Sequence, residues 1–404
     1  MKPFDLQDFI NTYVTKRQRS LLTDDLAANH TELAAAINGK RLLVIGGAGT
    51  IGSSFIRAAL RFKPAALVVV DTNENGLTEL TRDLRSDGGY NVPADYLSYP
   101  MDFGAPVFRK MFLHRGGFDV VANFAAHKHV RSEKDRFSIE AMLDNNVFKA
   151  KALLDLLAEH PPERYFSVST DKAANPVNVM GASKKLLEEV IFAYQDVFPV
   201  VTARFANVAF SNGSLPAGFL ERLHKRQPLS APTNVKRYFV SPQESGQLCL
   251  IACLLGQSGQ IFFPKLREEQ MTTFSQIGED FLRAQGLEPL FCETEKEARA
   301  QVQSREVTSK QYPVLFTPAN TSGEKTYEEF YTPGERINLD RFAELGYVVN
   351  APRRERIEVA RVLTELQQLL EEPHLAKAGI VATLAKHLPS FGHLETGLSL
   401  DAKM

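Results

Sequence analysis

Arg41-Leu42-Leu43-Val44-Ile45-Gly46-Gly47-Ala48-Gly49-Thr50-Ile51-Gly52 decides the fold of this chain. The apolar run Leu42–Ile45 reads as a buried strand, and glycines at 46, 49 and 52 break it into a turn that opens a helix. Backbone that must lie against a pyrophosphate has no room for a Cβ, and the free N–H groups and dipole of a helix start attract the phosphates. A second strand, Ala66–Val70, ends at Asp71, about twenty residues beyond the glycines, where a carboxylate meets the hydroxyls of an adenosine ribose. A carboxylate there repels a 2′-phosphate, and Thr72-Asn73-Glu74 supplies no arginine to hold one, so NAD is expected rather than NADP. Gly46, Gly49, Thr50, Ile51, Gly52 and Asp71 are the candidate cofactor residues.

Outward from this unit the pattern repeats. Helices are expected over Thr50–Arg61, Gly76–Ser86, Pro106–Phe112, Phe137–Glu159 and Val179–Phe198. Strands are expected near Asp95–Tyr99 and over Val120–Phe124, Arg164–Ser169 and Val200–Phe205. Strand–helix alternation predicts an α/β, Rossmann-type doubly wound parallel sheet covered on both faces. Asp102, after the third strand, is a candidate for the adenine. Ala125 and Ala126, after the fourth, are small enough for a cofactor to lie against the backbone. Beyond 206, loops rich in Pro, Ser and Asn alternate with short helices, the part of such enzymes that sets specificity. The expected organisation is a helical extension (1–40), a cofactor-binding domain (41–206), a smaller substrate-binding region (207–345) and a C-terminal helical extension with an irregular tail (346–404).

Composition narrows the function. Of 404 residues 44% are hydrophobic and 24% charged, with a net charge of −1, so neither nucleic acid nor an anionic membrane is an expected partner. The start, with its acids, does not read as a signal peptide, and the longest apolar run, Leu248–Gly256, is far short of the roughly 20 residues of a membrane span. Three cysteines make no disulfide framework; Cys249 and Cys253 read as small core residues, and the expected setting is reducing and cytoplasmic. No metal site is expected, since His127-Lys128-His129 has no acidic or cysteine cluster beside it.

Ser169-Thr170-Asp171-Lys172 ends the fifth strand, at the carboxyl edge where such sheets bind ligands, and Lys184 follows on the next helix. A hydroxyl, an acid and a base in succession suit proton transfer. Lys184 beside a nicotinamide ribose would orient the cofactor and lower nearby pKa values.

With these pieces in place, the chain resembles the CapD-like polysaccharide-biosynthesis branch of the extended short-chain dehydrogenases. The likeness rests on Gly46–Gly52, Ala125–Val130, Ser169–Lys184, Arg204–Val208 with Asn212–Ser214, Arg237-Tyr238-Phe239 and Gly323–Glu329. That branch contains nucleotide-sugar 4,6-dehydratases acting mostly on UDP-N-acetylglucosamine. The resemblance implies C4 oxidation, loss of water across C5 and C6, and hydride return to C6, giving a 4-keto-6-deoxy sugar. It assigns Lys172 to the C5 proton, Asp171 to the departing 6-hydroxyl, Thr170 to the C4 oxygen and Lys184 to the cofactor. Lys172 is then expected to be neutral, either desolvated or crowded by a cation such as Lys184, and Asp171 to hold a proton. Lys128, His129, Asn207, Arg237 and Glu324 are the implied substrate contacts, and the expected partners are a nucleotide sugar and further copies of the chain. Met180 stands where most short-chain dehydrogenases have their catalytic tyrosine. Methionine takes no proton, which argues against a simple epimerase or dehydrogenase and leaves the acceptor of the C4 hydroxyl proton open. The alternatives are an epimerase or oxidoreductase of the same superfamily, or a non-catalytic NAD-binding protein. Two departures stand out: Thr321-Ser322 replaces an Arg-Pro that helps hold phosphate, and Phe210 adds bulk to the loop 208–214.

Overall fold

The computed structural model describes residues 4–304, 309–320, 322, 323, 325 and 327–397. The glycine-turn strand, β1 (Arg41–Ile45), lies inside a nine-stranded sheet. On one side it pairs in parallel with β2 (Ala66–Asp71), which pairs with β3 (Asp95–Pro100). On the other it pairs with β4 (Val120–Asn123), followed by β5 (Arg164–Val168) and β6 (Val200–Ala203). The chain thus winds outward through β2 and β3, then returns across β1 to begin again at β4. The crevice at the carboxyl ends of β1 and β4 is the switch point where such sheets take ligands. Residues 42–45, 67–70 and 120–123 are at most 2% exposed, as strands covered by helices on both faces require. Each such apolar side chain contributes roughly 1.5–3 kcal/mol on burial.

The sheet does not stop at 206. Ile261–Pro264 adds in parallel to β6, and Leu345–Val348 and then Ile337–Asn338 follow antiparallel. Position 206 therefore marks where connections lengthen, not where the sheet ends. Between these returns, a parallel three-stranded sheet (Leu229–Pro232, Gln311–Thr317, Glu288–Phe291) and helices Leu215–His224 and Phe274–Ala284 form a smaller lobe. Helix Pro242–Leu255 packs on helix Thr50–Ala59, where a Cβ on Gly246 would fall 2.2 Å from the Ser54 carbonyl carbon. Cys249 and Cys253 are buried on the former, as small core residues.

The N-terminal extension bridges both lobes. Phe9, Ile10 and Val14 join the core of the smaller lobe, while Leu22, Leu33 and Ile37 join a core on one face of the main sheet. Arg17 pairs with buried Glu244 at 2.8 Å, and the Asp25 carboxylate accepts the N–H groups of Ala343 and Glu344.

Three expected helices differ in detail. The one over 137–159 contains a π turn, Asp144–Phe148, between Arg136–Leu143 and Lys149–Glu159. The one from Val179 ends at Phe192 and passes into turns, with the Tyr194 N–H bonded to the Ile191 carbonyl and the Gln195 N–H to the Phe192 carbonyl, before Pro199 leads into β6. The charged C-terminal stretch is two helices, Arg356–Leu370 and Lys377–His387, separated at Pro373. The first packs on helix Val179–Phe192, every residue of which is buried, and the second on Arg136–Leu143.

Candidate active site

A cavity of about 570 Å³ runs from the glycine turn along the carboxyl edge of the sheet to Lys172 and Met180. Its floor requires glycine. Gly46 has φ +75°, and a Cβ there would lie 2.5 Å from the Ala125 nitrogen. A Cβ on Gly52 would lie 2.3 Å from the Gly46 oxygen. Helix Thr50–Ala59 starts with no side chain capping its N–H groups, which leaves them to an anion. Gly49, Thr50, Ile51, Ala125 and Ala126 line the same space. The Asp71 carboxylate accepts the Ala48 N–H at 3.0 Å and the Asn73 N–H at 2.9 Å, which fixes it at the rim of the glycine turn. This donor-lined, acid-rimmed cradle fits a dinucleotide. Asp102 also lines the cavity, but its oxygens are engaged by Lys149 at 2.6 Å and the Gly104 N–H at 2.7 Å. Burial opposes its charge, and these partners outweigh burial and hold its pKa below the usual range.

At the other end, β5 gives way to a single 3₁₀ turn, Asp171–Ala173, capped by Thr170. The Thr170 hydroxyl donates to Asp171 Oδ1 at 2.9 Å, and Lys172 Nζ donates to the same oxygen at 3.1 Å. Helix Val179–Phe192 comes down on this turn so closely that a Cβ on Gly181 would sit 2.6 Å from the Lys172 oxygen. Asn178 caps that helix through the Gly181 N–H at 2.7 Å and donates to the Gly323 carbonyl at 2.8 Å.

The two lysines have opposite surroundings. Lys172 was expected to be neutral. Burial does disfavour its charge, but Asp171 and, 3.6 Å from Nζ, Glu328 outweigh burial and raise its pKa. The same Glu328 oxygen lies 3.7 Å from Arg237 Nη2, so the acid sits between two cations. Burial raises the Glu328 pKa, and Lys172 and Arg237 oppose the shift while Asp171 adds to it. Lys184, expected to crowd Lys172, is instead the desolvated group: burial lowers its pKa to about 8, against a partial opposing pull from Glu188. Its Nζ donates to the Val168 carbonyl at 3.1 Å.

Thr170, Lys172, Met180, Lys184, Lys128, His129 and Asn207 all line the cavity. Lys128 Nζ donates to the Asn212 carbonyl at 2.7 Å, and the Asn212 N–H donates to the Thr50 hydroxyl at 2.9 Å, so the loop 211–216 closes over the glycine turn. Burial lowers the pKa of both Lys128 and His129. Asp171 and Arg237 are buried behind the wall and reach it through Lys172 and Glu328. Glu324 lies outside the described residues. Glu328 was not anticipated, although two successive acids at 328 and 329 were its signal. Asn145, on the π turn, lines the cavity as well, and Asn146 beside it accepts the His127 N–H and donates to Ser183. Neither had a local signal, because a π turn breaks the helical period.

Residues 42–348 match the family described as polysaccharide biosynthesis protein. An uncharacterized membrane protein of Methanocaldococcus jannaschii is 30% identical over 321 residues, 76% of this chain and 85% of that protein. The probable polysaccharide biosynthesis protein EpsC of Bacillus subtilis is 27% identical over 76% of this chain, which spans only 47% of EpsC. A UDP-N-acetylglucosamine 4,6-dehydratase (inverting) of Campylobacter jejuni is 24% identical over 59% of this chain and 70% of its own length. Among solved structures, Pen from Bacillus thuringiensis superposes with TM-score 0.61 at 19% identity, over 83% of this chain and 99% of its own. The dTDP-glucose 4,6-dehydratase DesIV of Streptomyces venezuelae, with NAD and TYD bound, superposes with TM-score 0.51 at 19% identity, over 69% and 88%. These likenesses bear out the extended short-chain dehydrogenase fold. Among the described residues no helix is long and apolar enough to cross a membrane.

Proposed function

The chain belongs to the polysaccharide biosynthesis protein family, among nucleotide-sugar dehydratases and epimerases, and we propose that it is an NAD-dependent 4,6-dehydratase of UDP-N-acetylglucosamine or a related nucleotide hexose. The observation that carries this reading is the hydrogen bond of 3.1 Å between Lys172 and Asp171 at the sheet's carboxyl edge, with Met180 in the tyrosine position. Elimination needs a base for the C5 proton and an acid for the 6-hydroxyl. The two side chains form an ion pair at 3.1 Å. One proton moved from Lys172 Nζ to Asp171 Oδ1 turns it into a neutral amine and a carboxylic acid, the two groups elimination requires. The transfer replaces a buried ion pair by two neutral groups, so it creates no new buried charge.

The cradle formed by Gly46, Gly49, Gly52 and the start of helix Thr50–Ala59 would hold the dinucleotide, with Asp71 at its ribose, a position that favours NAD over NADP. When bound, that cofactor would supply the hydride acceptor for C4 of the sugar and the hydride donor for C6. In this reading Thr170 holds the C4 oxygen, Lys128 and His129 flank the sugar, Asn207 meets the nucleotide, and Arg237 acts from behind the wall through Glu328. The free, buried cysteines suit a reducing, cytoplasmic setting.

The test is to incubate the protein with UDP-, GDP-, CDP- and dTDP-sugars in heavy water. A product lighter by one water with deuterium at C5 is expected. An epimer that keeps its 6-hydroxyl would transfer the reading to a 4-epimerase, and no turnover of any of them would remove it.

A further inference from the structure

We propose that Lys184 is the catalytic base that takes the C4 hydroxyl proton during sugar oxidation, in the place of the tyrosine that Met180 replaces. The inference rests on the dehydratase reading and assigns the one proton transfer that reading leaves without an acceptor.

Lys184 lies one helical turn after Met180 on helix Val179–Phe192, and both line the cavity. The other side chains of 169–172 and of the first turn of that helix are spoken for. Met180 carries no proton acceptor. The Thr170 hydroxyl donates to Asp171, and the Ser169 hydroxyl donates to Glu188 at 2.6 Å. Lys172 is an ammonium between Asp171 and Glu328. Lys184 is 3% exposed, donates to a backbone carbonyl, and is paired with no carboxylate among the described residues.

The reason is the arrangement of Glu188, the one charged group among the described residues that acts on Lys184. Arg204 comes in from the end of β6 and takes both Glu188 oxygens, Nε to Oε1 at 2.8 Å and Nη2 to Oε2 at 2.7 Å. Ser169 adds a third contact, and Lys185, on the same helix, lies 3.6 Å from Oε2. With Glu188 so occupied, Lys184 keeps the cost of burial without a compensating ion pair, consistent with its lowered pKa of about 8.

The step balances. The O–H bond of the C4 hydroxyl breaks, an N–H bond forms on Lys184 Nζ, and the electron pair left on oxygen becomes the carbonyl as hydride departs. Elimination moves the C5 proton to Lys172 and a proton from Asp171 to the departing hydroxyl, and hydride return to C6 takes a proton from Lys172 back to C5. The proton held by Lys184 then returns through solvent to Lys172, restoring the Asp171–Lys172 ion pair, and the site returns to its starting charge.

Two measurements decide it. Lys184→Arg keeps a cation and a donor against the cofactor but does not lose its proton. It is expected to retain NAD, measured as cofactor released on denaturation, and to slow C4 oxidation on addition of nucleotide sugar by on the order of 100-fold or more. In the wild type, that oxidation should rise with pH to a plateau, with its midpoint near the Lys184 pKa of about 8. An arginine variant that oxidises at the wild-type rate overturns the proposal. Independently of any substrate, the pH dependence of reductive methylation of Lys184, read by mass spectrometry, reports its proton affinity. A midpoint near 8 supports the assignment, and one at the ordinary lysine value of about 10.4 overturns it even if dehydration is observed. Absence of dehydration with a midpoint near 8 would remove the dehydratase reading and leave Lys184 as a titrating group at the site.

Discussion

Arg204 and Glu188 form a buried two-point ion pair: the Arg204 side chain is 0% exposed and that of Glu188 3%. Glu335 takes the remaining edge of the guanidinium, with Nη1 to Oε2 and Nη2 to Oε1 both at 2.9 Å. Glu335 lies in the segment leading to Ile337–Asn338, and Glu188 lies on the helix that carries Met180 and Lys184. One arginine therefore ties the helix of the active site to the edge of the main sheet and keeps an acid away from Lys184.

Arg204→Met retains bulk but strands two buried carboxylates. Removing one partner of a buried pair costs about 3–5 kcal/mol, and a loss of that size is expected in urea unfolding. A second effect separates this from simple destabilisation. Glu188, released, faces Lys184, so the methylation midpoint of Lys184 should move upward. Adding Glu188→Gln should restore part of the stability and bring the midpoint back down, a coupling the double-mutant cycle measures.

The framework of the sheet and the cofactor cradle were legible in sequence because both are local. A strand, three glycines and a helix start are contiguous, and Asp71 ends the next strand. The same holds for Ser169–Lys172, placed by the end of β5. What escaped was set by partners far along the chain. Lys172 reads as a base from its neighbours, yet its charge is held by Asp171 together with distant Glu328, and that of Lys184 is set by Arg204 acting on Glu188. The return of Ile261–Pro264 and Leu345–Val348 to the sheet was likewise hidden, since periodicity shows a strand without saying which sheet it joins.

Glu189, next to Glu188, gives a pH prediction of its own. It is 6% exposed and ion-paired with Arg354 at 2.7 Å, yet burial still raises its pKa to about 7. An acid whose pKa is higher folded than unfolded makes the native state bind more protons between the two values. Stability is therefore gained as pH falls below 7 and lost as it rises toward 7, by about 3 kcal/mol at most. Glu189→Gln should stabilise the protein at pH 8 by about 1–3 kcal/mol and have little effect at pH 4.5. Chemical unfolding at the two pH values checks this, and equal effects at both would reject it.

Gly46→Ala should break the cradle. Its φ of +75° is strained for alanine, and the added methyl would meet the Ala125 nitrogen at 2.5 Å and the Phe124 carbonyl carbon at 2.7 Å, both backbone atoms. Relief requires β1 and β4 to part where the pyrophosphate would lie. The variant should lose at least about 2 kcal/mol of stability and copurify with little NAD. A variant with wild-type cofactor content would mean that the dinucleotide lies elsewhere.

Met180→Tyr returns a titratable group to the position the chain has vacated. The side chain at 180 is 3% exposed and borders the cavity, so the longer ring has free space ahead of it. Lys184, one turn on, would lie beside the phenol, and a neighbouring ammonium lowers a phenol pKa from about 10. The variant should then oxidise the sugar with a pH midpoint below the wild-type value, because phenolate replaces the lysine amine as acceptor. In the double variant Met180→Tyr/Lys184→Arg, arginine supplies the cation and tyrosine the base. Oxidation should recover at least about 10-fold over Lys184→Arg alone, a tenth or more of the gain of a positioned general base. Stopped-flow measurement of cofactor reduction from pH 6 to 9 tests both expectations. If the double variant is as slow as Lys184→Arg, the phenol does not reach the C4 hydroxyl, and the side chain at 180 is not adjacent to the first proton transfer.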